Sequence, residues 1–307
     1  MIIDGKAVYS IDPLIEYCPL ASDIFTRDKC GKCLPLKERI LEEVNEQAIG
    51  EYKMFSPERH LKECESAVLF GSSEMTMDAM KKGLVDCSVQ VCDGIGTVIA
   101  RSPEAVQGIG AVMTGTFYTS PIRKLIEKCY EKDIFPVFPE TADIDQKRGV
   151  NFAVRLGHKN IVVTTAAYDN IKLPEISRLE EKNNLNIIRL ALCATGIDEY
   201  TAEVMRDYSD ISWTCASRYA RDIISKKALL QIGLKIPVYV MTKRGLEFVK
   251  PRLLNIDPEI EDRLDSIYKQ NKQKEKQVIF HDKWGGLGIM PISEIDWERM
   301  DSPRPLI

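Results

Sequence analysis

From residue 66 onward the chain alternates short apolar, β-prone runs with longer stretches in which apolar positions recur every three or four residues. Val85 to Val91 and Thr97 to Ala100 read as strands joined at Asp93-Gly94-Ile95-Gly96. Phe135 to Phe138, Asn160 to Thr164, Ile187 to Leu192, Ile211 to Trp213 and Pro237 to Met241 read as further strands, each followed by an amphipathic stretch of helical period. Ala67 to Phe70 reads the same way, ahead of a helix near Met75 to Lys82. Ser102-Pro103-Glu104 and Ser120-Pro121 both carry the mark of a helix start, a hydroxyl cap followed by proline at the first helical position. Near-continuous apolar strands alternating with helices are what a sheet covered on both faces requires. The predicted fold class is therefore α/β over residues 66–255, a mostly parallel sheet with helices on both faces.

The flanks follow a different pattern. Ile2-Ile3 and Ala7-Val8-Tyr9 surround Asp4-Gly5, a hairpin signal, and a helix is expected from Leu36 to Gln47. Between them, Ile11 to Leu36 has prolines and three cysteines in place of any period. Residues 1–65 thus read as a small N-terminal Cys-rich module ordered by something other than a large apolar core. Residues 256–307 read as a charged helix and a C-terminal arm lying over the main domain, which would shield Trp284, Trp297 and Ile289.

Composition narrows the function classes. The 307 residues are 44% hydrophobic and 29% charged with a net charge of −4, which excludes collagen-like, disordered and coiled-coil chains. A mildly acidic balance gives no electrostatic footprint for nucleic acid. No stretch reaches the ~20 apolar residues of a membrane span, and Met1 to Gly5 lacks the basic and apolar parts of a secretory signal. The expectation is a cytoplasmic protein with neither a nucleic acid nor a membrane as partner. Nine cysteines, an odd number without an export signal, point to metal ligands or reactive thiols in preference to disulfides.

Two groups of residues could carry chemistry. The first is Cys30-Gly31-Lys32-Cys33, where a C-x-x-C turn sets two sulfurs on one side of the backbone, with Cys18 upstream and Cys64 downstream to complete four ligands. Iron–sulfur clusters and Zn²⁺ both use this device; a redox dithiol and plain structural thiols are the competing readings. The second group follows from the fold, because open parallel sheets bind ligands beyond the carboxyl ends of their strands. There the sequence places Cys92-Asp93-Gly94, Glu140-Thr141, Thr164-Thr165, Cys193-Ala194-Thr195-Gly196 and Thr214-Cys215. Cys92, Cys193 and Cys215 are candidate nucleophiles or ligands, and Asp93 and Glu140 candidate acids or bases. Thr119, Thr165, Thr195 and the helix starts at Ser102 and Ser120 are candidate contacts for a small anionic ligand. Cys215 also stands at an expected helix N-terminus, which favours a thiolate.

Three motif matches lead elsewhere. Cys215 to Arg221 has the C-x5-R spacing of cysteine-dependent phosphatases, but the intervening residues contain no glycine and read as plain helix. Gly94-Ile95-Gly96 and Gly108-Ile109-Gly110 each lack the third glycine of a dinucleotide fingerprint. The histidines, His60, His158 and His281, form no close pair.

The string Cys92-Asp93-Gly94-Ile95-Gly96-Thr97-Val98-Ile99, then Pro103, Val106 to Gly110, Gly115 and Thr119-Ser120-Pro121-Ile122, resembles the methanogenesis marker protein 8 family. Tyr17-Cys18-Pro19-Leu20 and Pro139-Glu140-Thr141-Ala142-Asp143-Ile144-Asp145-Gln146 agree with it, so the resemblance spans residues 8 to about 220. It implies a setting in methanogens and related anaerobes, and assistance to the nickel-cofactor enzyme system of methane metabolism. It supplies no catalytic residues. The leading expectation is thus a metal- or iron–sulfur-binding accessory protein whose partner belongs to an anaerobic metalloenzyme system. The alternative is an α/β enzyme using Cys92, Cys193 or Cys215 on an anionic small molecule.

Overall fold

The computed structural model describes residues 1–11, 36–111, 118–270, 276–282 and 286–294. Cys18, Cys30, Cys33, Trp284 and Trp297, on which parts of the sequence reading rest, lie outside these residues. A two-residue hairpin, β1 (Ile2–Ile3) and β2 (Lys6–Ala7), precedes α1 (Leu36–Glu43), which continues as a π-helical segment over Val44–Glu51. A ten-stranded sheet follows, built from β3 (Cys87–Cys92), β4 (Gly96–Ala100), β5 (Ile134–Pro136), β6 (Asn160–Ala166), β7 (Asn186–Leu192), β8 (Ile211–Trp213), β9 (Leu230–Ile232), β10 (Val238–Val240), β11 (Gln277–His281) and β12 (Leu287–Pro291). Their spatial order is β12-β11-β9-β10-β8-β7-β6-β3-β4-β5.

The expected α/β class holds, but the sheet is mixed and not mostly parallel. Four strand pairs are parallel (β3–β6, β6–β7, β7–β8 and β9–β11) and five antiparallel. Three of the antiparallel pairs, β3–β4, β9–β10 and β11–β12, come from short connections, such as the tight turn at Gly94 to Gly96, which leave no room for a crossover helix. The C-terminal region differs from the expected arm as well: β11 pairs with β9, and the β11–β12 hairpin extends the sheet.

Side-chain alternation on the central strands explains why both sheet faces are covered. Ile161 and Val163 of β6 and Ile187 of β7 join Val89, Val150, Ala153 and Ile176, and so pack on α5 (Gln146–Arg155) and α6 (Leu173–Asn183). Val162, Ile188 and Leu190 face the other way, toward Met75 and Ala79 of α2 (Ser72–Lys81) and Leu246, Val249 and Leu253 of α8 (Lys243–Ile256). The remaining α-helices of eight or more residues are α3 (Pro103–Gly110), α4 (Arg123–Tyr130), α7 (Glu199–Tyr208) and α9 (Glu261–Gln270).

Local signals fare unevenly. Ser102 caps α3 by accepting the Ala105 amide at 3.3 Å, and Asp198 caps α7 by accepting that of Thr201 at 2.8 Å. Ser120 does not cap α4; its hydroxyl accepts the Asp4 amide at 2.9 Å and so ties residues 118–120 to the amino-terminal hairpin. Ala67 to Phe70 forms bends instead of a strand. Buried Glu74 accepts the Ala67 and Val68 amides, while Arg252 donates to the Val68 and Leu69 carbonyls. Side chains thus satisfy the backbone that a ladder would otherwise engage. No helix among the described residues is long and apolar enough to cross a membrane.

Candidate functional site

Strand directions decide which candidates share an edge. β4 is antiparallel to both β3 and β5, so β5 runs the same way as β3, β6, β7 and β8. Cys92-Asp93, Glu140, Thr165, Cys193-Ala194-Thr195 and Cys215 therefore all stand toward one sheet edge. Ser102 follows β4, which runs the opposite way, and its hydroxyl is occupied at the α3 cap. It does not belong to this edge.

Within that edge the residues separate into distinct environments. Cys92 is 1% exposed among Ile95, Val98 and Leu125, and burial pushes its thiol far up. Asp93 beside it is buried against Arg59, whose Nε donates to Oδ2 at 3.0 Å. Arg59 also donates to the carbonyls of His60, Gly108 and Ile109, which closes the carboxyl end of α3. Asp93 Oδ1 has no hydrogen-bond partner among the described residues. Burial outweighs the guanidinium, and the Asp93 carboxyl is pushed up to about 6. Glu140 lies at the surface, 3.8 Å from Arg123 with both side chains exposed.

Thr119 and Ser120 line a separate cleft of ≈ 560 Å³ between the amino-terminal hairpin and the residues leading into α5, together with Asp143, Asp145 and Arg148. Asp145 caps α5, and the Arg148 guanidinium lies 4.5 Å from the centre of the Phe138 ring. Thr165 turns inward: its hydroxyl donates to Asn170 Oδ1 at 2.6 Å, and the Asn170 amide donates to the Leu192 carbonyl at 3.1 Å. That chain fixes the start of the loop after β7. Tyr168 adds a bond from its hydroxyl to the Gly196 carbonyl at 2.7 Å.

The loops after β7 and β8 repeat one design. Each carries cysteine, alanine and a hydroxyl residue in succession: Cys193-Ala194-Thr195 and Cys215-Ala216-Ser217. Both cysteines adopt left-handed backbone, with φ of +53° and +46°, a conformation that costs a side-chain-bearing residue roughly 1–2 kcal/mol. Both alanines are fully buried. The two strands pair through Leu190–Ile211 and Ala191–Ser212, so each cysteine stands only two or three residues past the last paired position. The loops also touch, the Ala216 amide donating to Thr195 Oγ1 at 3.3 Å. Cys193 is exposed, whereas Cys215 is 7% exposed. Arg221 curls back onto Cys215: Nε and Nη2 donate to its carbonyl at 3.0 and 2.7 Å. The guanidinium is thus engaged with backbone, which accounts for the C-x5-R spacing without a phosphate.

Cys64, the fourth member of the sequence-based ligand set, is exposed in the segment before α2. Among the described residues no three His, Cys, Asp or Glu side chains converge as a metal site. Sequence reasoning missed Arg59, Tyr168 and Asn170 altogether. The signal at Arg221 was present as a spacing but pointed to other chemistry.

An uncharacterised protein of Methanocaldococcus jannaschii is 32% identical over 257 residues, covering 84% of this chain and 88% of that protein. No solved structure matches the chain. Residues 1–254 match the model of DUF2099, described as an uncharacterised protein conserved in archaea, and the chain belongs to that family.

Proposed function

We propose that this chain is a thiolate metal-binding accessory protein, with Cys193 and Cys215, where β7 and β8 end, as ligands and Cys30 and Cys33 of the C-x-x-C turn as further candidates. The observation that carries this reading is the pair of left-handed Cys-Ala-Thr/Ser loops on adjacent parallel strands. Non-glycine residues held in such backbone collect at functional sites, where surrounding structure over-determines them. Here Thr195, Asn170, Tyr168 and Arg221 supply that support. Soft thiolates select zinc, copper(I) and iron–sulfur clusters. The resemblance to methanogenesis marker protein 8, with its anaerobic setting, favours an iron–sulfur cluster over Zn²⁺ and a partner from an anaerobic metalloenzyme system.

Iron, acid-labile sulfide and zinc content of protein purified without air tests this. The expected result is iron with matching sulfide in the wild type and in Cys92→Ser, and loss in Cys193→Ser, Cys215→Ser and the double variant Cys30→Ser/Cys33→Ser. Retention in both strand-end variants with loss in Cys18→Ser and Cys64→Ser assigns the metal to the four cysteines chosen from spacing alone. Wild-type protein without iron or zinc overturns the reading. In that event the exposure of Cys193 favours the second one, nucleophilic thiol chemistry on a small anion, and Cys193 then alkylates faster than Cys64, which is exposed as well.

A further inference from the structure

The described residues lining the cleft of ≈ 560 Å³ beside the amino-terminal hairpin include no cysteine. Backbone hydrogen bonds hold its walls. Ile2 donates to the Tyr118 carbonyl at 2.8 Å and accepts the Ser120 amide at 3.0 Å, which fixes β1 against residues 118–120. The facing loop is anchored on β4: the Thr97 amide donates to the Asp143 carbonyl at 2.9 Å, and the Asp145 amide to Thr97 Oγ1 at 2.7 Å. Two residues at the border of the cleft are left-handed without being glycine. Ala142, buried between exposed Thr141 and Asp143, has φ of +54°, and Ala167, two residues ahead of Asp169, has φ of +50°. Such backbone collects where ligands are clamped, and the volume is that of a small-molecule site.

Charge narrows the ligand. Asp169 is paired with Lys172 at 2.9 Å, and Asp145 Oδ1 accepts the Arg148 amide at 2.9 Å as the cap of α5. The Arg148 guanidinium, stacked on Phe138, and the Asp143 carboxylate have neither an ion pair nor a side-chain hydrogen bond among the described residues. Stacking covers one face of the guanidinium and leaves open its edge, the fork that matches a carboxylate. Among the side chains lining the space two are cationic and three are carboxylates, so a polyphosphate meets net repulsion. A molecule with one carboxylate and one ammonium finds an opposite charge for each. We propose that this cleft binds a small zwitterion, a free α-amino acid, its carboxylate forked by Arg148 and its ammonium held by Asp143. The site shares no residue with the proposed metal ligands and does not depend on them.

The test is isothermal titration calorimetry of the full chain with each of the standard L-amino acids as probe. Saturable binding of at least one is expected, weakened about tenfold or more in Arg148→Gln and in Asp143→Asn by loss of one charge-assisted contact. Arg148→Lys, which keeps the charge and loses the fork, falls between. Analogues of the bound amino acid lacking its amino group or its carboxylate, and inorganic phosphate, are expected to bind about tenfold or more weakly than it does. Failure of every amino acid to bind overturns the proposal, as does unchanged affinity in folded Arg148→Gln and Asp143→Asn. An amino-free analogue or phosphate that binds as tightly as the amino acid also overturns it and assigns the cleft to simple anions. Both side chains are exposed, so both variants are expected to fold; should one not, the other variant and the analogue comparison on the wild type decide. Cys193→Ser, which loses metal on the reading above, leaves amino-acid affinity unchanged, so the two proposals fail separately.

Discussion

Asp93 shows how one buried carboxylate links sequence to stability. Its folded carboxyl is raised from 3.8 to about 6 because burial exceeds the help from a single Arg59 contact. A raised acid contributes stability that is full below pH 3.8 and is lost as the pH climbs through 6. The wild type is therefore expected to lose up to about 1.4 kcal/mol per pH unit across that interval, measured by urea unfolding. Asp93→Asn removes this slope and leaves stability at pH 7 unchanged or higher, since the neutral amide avoids the burial cost. A loss beyond about 1 kcal/mol at pH 7 contradicts the assignment, that being the scale of one hydrogen bond. Arg59→Met acts in the opposite sense: it strands Asp93 and uncaps three carbonyls, for a loss of about 3–5 kcal/mol. None of this is visible in the linear chain, where Arg59 is one of 42 Lys and Arg residues and meets Asp93 only through tertiary structure.

At the scale of elements, the glycine pairs show what local reading can and cannot resolve. Gly96 has φ of +76°, and a Cβ there would lie 2.2 Å from the Ala142 carbonyl oxygen, so the β3–β4 turn needs glycine for both conformation and space. Gly108, inside α3, would place a Cβ 2.4 Å from the Lys62 amide nitrogen. These glycines serve close backbone approach, and the missing third glycine of a nucleotide motif is explained. Gly108→Ala is expected to lower stability by about 1–3 kcal/mol despite its better helix propensity, read from thermal melting. An unchanged or raised midpoint would show that the 61–62 segment yields freely. The cap written in Ser102-Pro103 was legible because cap and helix share a few positions. Ser120 carries the same letters but is taken by Asp4, 116 positions away.

Across the whole molecule, apolar runs revealed β3 to β8 and β10 but not their directions, and β9, β11 and β12 were missed. An apolar strand covered on both faces looks the same whether its neighbours are parallel or antiparallel, so β4 and β10 turned a parallel expectation into a mixed sheet. The candidates after β3 and β5 still stand toward one sheet edge, because β5 runs with β3. What the sequence concealed was which candidates are buried and which are presented: Cys92 and Cys193 look alike in the chain, yet one is sealed in the core and the other open.

The left-handed loops also bear on how such a protein can be improved or spoiled. At Cys193, glycine would adopt φ of +53° without strain. Cys193→Gly in metal-free protein is therefore expected to leave thermal stability unchanged or raise it by up to about 1 kcal/mol, and a lower melting point would contradict that. On the proposed reading of Cys193 as a metal ligand, durability and chemistry pull this position in opposite directions, and variants screened only for heat resistance would discard the ligand first.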